Sequence, residues 1–202
     1  MSPASDWTVL FIGGPAAVGK TSAAKRIAVV SGATVLQADD VWLTLQRAVV
    51  SEDGADLSAF QERGVWTRST KELVALKRRI AETVSASLEP VVANHLAHDD
   101  RLVIEGVWVT PEFATRTSYA GHAAGEGRRC VFVLEDDPVR IREAMLARGR
   151  GFDAWPPADR DAMAAMQAGY SRWLRAQALL RDAPTVDARP AVRLAERILA
   201  VL

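Results

Sequence analysis

TVLFIGGPAAVGKTSAAKRIA, residues 8–28, starts as an apolar run and ends as a helical pattern, with glycines, small residues, a lysine and a threonine between. Gly14, Gly19, Lys20 and Thr21 fit the spacing G-x-x-x-x-G-K-[ST]. Glycines at those positions let the backbone curl until successive N–H groups converge on one point. The N-terminus of the following helix adds a dipole that favours an anion there. A strand before and a helix after supply the context in which this pattern cradles nucleotide phosphates. Gly14, Pro15, Ala16, Ala17, Val18, Gly19, Lys20, Thr21 and Ser22 are therefore the expected phosphate site. Lys20 is expected to bridge the phosphates, and the Thr21 hydroxyl to ligate Mg²⁺.

Working outward, short apolar runs recur at residues 7–13, 33–37, 101–106, 128–135 and 183–188, with helical patterns between them. Buried parallel strands alternating with helices produce that rhythm. The expected fold is a three-layer α/β domain of the P-loop NTPase type with a five-stranded parallel sheet, occupying residues 1–202 as one domain. More than 60 residues separate the second run from the third. Leu73, Leu76, Ile80, Val84, Leu88 and Val91 recur there at steps of three and four, which predicts one long amphipathic helix over about 67–96. A helical insertion at about 50–98 is the expected substrate cap, preceded by a loop with a short helix.

Ligands of open α/β sheets lie at the carboxyl ends of the strands, so the residues after each run carry the functional expectations. Asp39 and Asp40 follow the second run, and Glu105 and Gly106 end the third. A carboxylate beside the γ-phosphate can position an acceptor hydroxyl and take its proton. Asp39 is the first choice for that role and Asp40 the second, with one of the two also suited to capping the helix that follows. Glu105 is expected near the metal or a substrate hydroxyl. Arg148 and Arg150, after a helix and before a Gly/Pro-containing stretch, suit a lid at about 148–158 that closes on the phosphates with bidentate donors. Trp42 and Trp108 lie two or three residues past the candidate acids, at the expected cleft mouth. Residues 186–190 follow the last strand, where a nucleotide base would stack.

The 25 basic and 25 acidic residues cancel, so no bulk charge steers the chain to nucleic acid or membrane. Only Lys20, Lys25, Lys71 and Lys77 are lysines; the other cations are arginines. Cys130, the sole cysteine, reads as a small buried thiol, and a chain with one cysteine forms no internal disulfide. No leader pattern and no run of membrane-spanning length is present, which predicts a cytoplasmic protein. His95 and His98 lack further ligands in the pattern and read as solvated.

These residues resemble the small P-loop kinases related to adenylate kinase. GGPAAVGKT, ADDVWLTL and EDDPVRIREAMLARGR are similar to the chloramphenicol phosphotransferases, in which the corresponding aspartate serves as base. LVIEGVWVTPEF and MQAGYSRWLRAQA look more like the 2-phosphoglycerate kinases. Asp40 stands where the chloramphenicol enzymes carry a neutral residue, and Trp108 where a polar residue would suit a phosphorylated acid. The resemblance implies transfer of the γ-phosphate of ATP or GTP, with Mg²⁺, to a small-molecule hydroxyl. Trp108 points to an antibiotic or nucleoside-like acceptor; a primary metabolite such as a phosphorylated hydroxy acid is the alternative. A nucleotide-switch NTPase would carry N-K-x-D after the fourth strand, and that element is missing. A binding protein without catalysis is the third reading, and intact Lys20, Thr21 and Asp39 speak against it. The expected partners are the nucleotide and the acceptor, without nucleic acid or membrane; the oligomeric state stays open.

Overall fold

The apolar runs condense into one sheet in the computed structural model of the chain, which describes residues 6–48 and 56–202. In chain order the first half contains β1 (Val9–Gly13), α1 (Lys20–Ser31), β2 (Thr34–Gln37), α2 (Ala38–Ala48), α3 (Thr70–Ser87), α4 (Glu89–His98) and β3 (Leu102–Gly106). The second half adds a single turn α5 (Pro111–Ala114), a hairpin of β4 (Ser118–Tyr119) and β5 (His122–Ala123), then β6 (Arg128–Leu134), α6 (Pro138–Arg148), α7 (Pro157–Leu179), β7 (Thr185–Asp187) and α8 (Leu194–Leu199). The start of the expected insertion, residues 50–55, lies outside the described residues.

Five strands run parallel in the order β2-β3-β1-β6-β7. Central β1 is wholly buried, because both its faces are covered. Val9 and Phe11 join Ile104, Phe132 and Leu134 on one face, under α3, α4 and α7. Leu10 and Ile12 join Val103, Val131 and Val133 on the other, under α1 and α8. The architecture is therefore an α/β sheet with helices on both faces. Cys130 is buried, as its setting in an apolar strand predicts, and burial pushes its thiol pKa up.

The single helix expected over 67–96 is instead two. It begins at Thr70, where Ser69 closes a capping box: its hydroxyl accepts from the Glu72 amide (3.3 Å) while its own amide donates to Glu72 Oε2 (2.9 Å). It stops at Ser87, and α4 opens at Glu89 with Pro90 in its first turn. Proline has no N–H to donate and its ring crowds the carbonyl four residues back, so the ladder breaks there. The two helices also pack into the core over the sheet, with Leu73, Leu76, Ile80, Val84, Leu88 and Val92 all buried. A second difference concerns α2. It starts directly after β2, so Asp39 and Asp40 lie within its first turn and not ahead of it. Among the described residues, no helix is long and apolar enough to cross a membrane.

Candidate active site

The loop between β1 and α1 is shaped by positions that tolerate no side chain or a positive φ. A Cβ on Gly14 would stand 2.2 Å from the Val133 carbonyl oxygen, and Gly19 has φ 90° as it caps α1. Only glycine meets the first demand, and glycine meets the second without strain. The loop carries Lys20 into the first turn of α1, where it is 5% exposed and its Nζ donates to the Pro15 carbonyl at 2.6 Å. Burial lowers the Lys20 pKa; Glu105 and then Asp39 oppose that effect, and Arg148 adds to it. The Thr21 hydroxyl donates to Glu105 Oε1 at 2.7 Å across 84 residues of sequence. Parallel pairing of β1 with β3, Ile12 beside Glu105 and Gly13 beside Gly106, makes that approach possible.

A cleft of about 850 Å³ opens over this loop. Residues 16–22, Asp39, Trp42, Glu105, Trp108, Arg148 and Arg150 all line it, so the structure brings together most of the residues expected from sequence. Gly14 and Pro15 lie behind it, the first as a turn and the second as the carbonyl partner of Lys20. Asp40 is not in the lining; it is exposed, and its carbonyl accepts from the Thr44 hydroxyl at 2.9 Å. Of the two aspartates expected at the substrate, Asp39 stands in the cleft wall and Asp40 outside it, because consecutive helical residues point about 100° apart.

Two tryptophans form one wall. The rings of Trp42 and Trp108 have centroids 5.0 Å apart, Trp42 Nε1 donates to the Leu57 carbonyl (2.9 Å), and the Ser85 hydroxyl donates to the Trp108 carbonyl (2.6 Å). Arg148 is the last residue of α6, and Arg150 follows with φ 60°. Both are exposed, and neither is in an ion pair among the described residues. After them Phe152 packs on Trp155, Trp155 on Trp66, and Trp66 on Phe60, each pair with centroids 5.5 Å apart. The expected lid is thus held by rings from the segment that precedes α3. In the expected base loop, Ala188 and Arg189 line the cleft, with Arg189 Nε 4.0 Å from Glu135.

Sequence reasoning missed two residues of the site. Gln167 of α7 accepts from the Ala16 amide at 3.1 Å, bracing the loop from the opposite layer. Lys77 of α3 lines the cleft while only 2% exposed. Each was detectable as a polar residue inside an apolar stripe: Lys77 falls four after Leu73 and three before Ile80, and Gln167 four after Met163 and three before Tyr170. His95 is half-buried and His98 exposed, each with Nδ1 2.8 Å from a backbone carbonyl, of Asp100 and Asn94. Among the described residues, no group of three or more His, Cys, Asp or Glu could hold a metal by itself. No protein-family model and no curated protein matches the chain.

Proposed function

We propose that the chain is a P-loop phosphotransferase that moves the γ-phosphoryl group of ATP or GTP to a hydroxyl of a small molecule. The observation that carries this reading is the convergence, in one cleft, of the glycine loop with Lys20 and Thr21, the carboxylates of Asp39 and Glu105, and the cations Arg148 and Arg150. The strand order, with the loop after the central strand, supports the same reading.

The loop amides and Lys20 bind the phosphates. Thr21 and Glu105, both hard oxygen donors, suit Mg²⁺ and would hold it together with phosphate oxygens. When bound, the ion neutralises charge on those oxygens. Asp39 positions the acceptor hydroxyl and takes its proton as the oxygen attacks phosphorus; the bond between the γ-phosphorus and the bridging oxygen breaks, and the nucleoside diphosphate leaves. Arg148 and Arg150 pair with the equatorial oxygens, and the lid excludes water that would otherwise compete with the acceptor. The Trp42–Trp108 wall suits an acceptor with a flat face, such as an antibiotic or nucleoside-like compound; a primary metabolite is the alternative.

The test is nucleotide consumption by purified protein with Mg²⁺, supplying ATP and GTP separately against antibiotics, nucleosides and hydroxy acids. The expected result is consumption that depends on one acceptor, with a product heavier by one phosphoryl group. Slow turnover indifferent to every acceptor would count against transfer and for a nucleotide switch.

A further inference from the structure

Lys77 is a buried cation in no ion pair among the described residues. Its Nζ stands 4.3 Å from the centroid of the Trp108 ring and 4.9 Å from that of Tyr170. The rings offer only their faces, since their polar atoms, Trp108 Nε1 and Tyr170 Oη, are themselves buried without a hydrogen-bond partner. Among the described residues, no carboxylate or carbonyl hydrogen-bonds to the Lys77 ammonium. Cation–π contact offsets only part of the cost of removing an ammonium from water. Burial accordingly lowers the Lys77 pKa to about 7, against a smaller upward pull from Asp39 and a still smaller downward push from Lys20.

The position is built, not incidental. A Cβ on Gly169 would stand 2.9 Å from Val74 Cγ2, so glycine there lets α7 approach α3 closely. That approach brings Tyr170 against Lys77. Lys77 lines the cleft, and its ammonium, with no hydrogen bond among the described residues, is left for a ligand. Lys20 is already tied to the Pro15 carbonyl, and Asp39, the proposed base, is the acid that acts most on Lys77. We infer that Lys77 is an anion subsite of the cleft, separate from the glycine loop, and that it takes the carboxylate or phosphate of an anionic acceptor. This rests on the reading of the cleft as a phosphoryl-transfer site. The same oxyanion chemistry could come from the transferring phosphoryl group of the donor, and the test separates the two sources.

Inorganic phosphate is the probe, titrated calorimetrically into the full chain at about pH 6.5, where the ammonium is charged. The protein is first saturated with Mg²⁺ and a non-hydrolysable ATP analogue, which fills the transferring position. The expected result is phosphate binding that Lys77→Met weakens at least tenfold and Lys77→Arg largely retains, with the analogue bound equally by all three proteins. Circular dichroism and the unfolding midpoint check that Lys77→Met is folded; methionine matches the length of the stem it replaces. Equal phosphate affinity in wild type and Lys77→Met, or no phosphate binding to wild type, overturns the inference. Phosphate binding only with MgADP in place of the analogue, together with a selective loss of analogue affinity in Lys77→Met, gives the anion to the donor and overturns the acceptor assignment. Wild-type protein that binds neither nucleotide sinks the transfer reading, and the phosphate titration of the nucleotide-free protein then decides the subsite by itself.

Discussion

Asp39 and Asp40 are neighbours in the chain with different surroundings. Asp39 is half-buried in the cleft wall, close enough to Lys20 and Lys77 to act on both charges, whereas Asp40 faces solvent. Under the proposed transfer, removing the carboxylate should therefore be costly at Asp39 only. Asp39→Asn is expected to lower kcat by roughly 10²–10⁴ with nucleotide affinity nearly unchanged, and Asp40→Asn by no more than a few-fold. Initial rates with the acceptor found by screening, paired with nucleotide titrations, check this; the opposite ranking would move the base to Asp40. At this scale the sequence marks a carboxylate after the second strand. Which of two adjacent carboxylates faces the cleft depends on where α2 begins, and there Ala38 packs so close to β3 that a Cβ on Gly106 would be 2.8 Å from its own.

The segment proposed as a lid is held by pairings between elements. Gly149 and Gly151, with φ 74° and 76°, flank Arg150 and reverse the chain after α6, so both arginines stay at the cleft while Phe152 and Trp155 turn back toward the segment before α3. Trp155 bridges Phe152 to Trp66 and is itself only partly buried. Trp155→Ala is expected to release this connection without unfolding the sheet. Tryptic cleavage after Arg148 and Arg150 should accelerate several-fold while the global unfolding midpoint moves little; unchanged cleavage would show that the rings do not hold the lid. The arginines were legible as cations at a helix end. Their aromatic anchor was not, because Trp66 and Trp155 are 89 positions apart in a sequence that offers no periodicity linking them. The division between α3 and α4 was written in Pro90, but the continuous apolar stripe on either side conceals it.

For the whole molecule, Lys77 couples the site to stability. Its pKa is 10.5 in an ordinary setting and about 7 in the fold, so between those values the unfolded chain holds a proton that the folded chain has released. Stability then rises with pH across that window; the cost is fully present below about pH 7 and gone above about pH 10.5. Asp39, Lys20, Trp108 and Tyr170 face the group, and all remain in Lys77→Met. The variant should therefore unfold at a higher temperature than wild type near pH 6, by an amount that shrinks toward pH 10, with an upper bound of roughly 5 kcal/mol at the acid end. A pH-independent difference would refute the buried-ammonium account. Short-range chemistry makes part of this readable in the chain alone: five strands from apolar runs, the glycine loop with Lys20 and Thr21 from steric demand at fixed spacing, and Asp39 and Glu105 as acids where strands end. Which distant groups meet is fixed by packing: Thr21 with Glu105, Ala16 with Gln167, and Lys77 with Trp108 and Tyr170. The reason is physical. Local pattern constrains backbone conformation within a few residues, whereas desolvation and ring contact depend on layers that pack only after the sheet has formed.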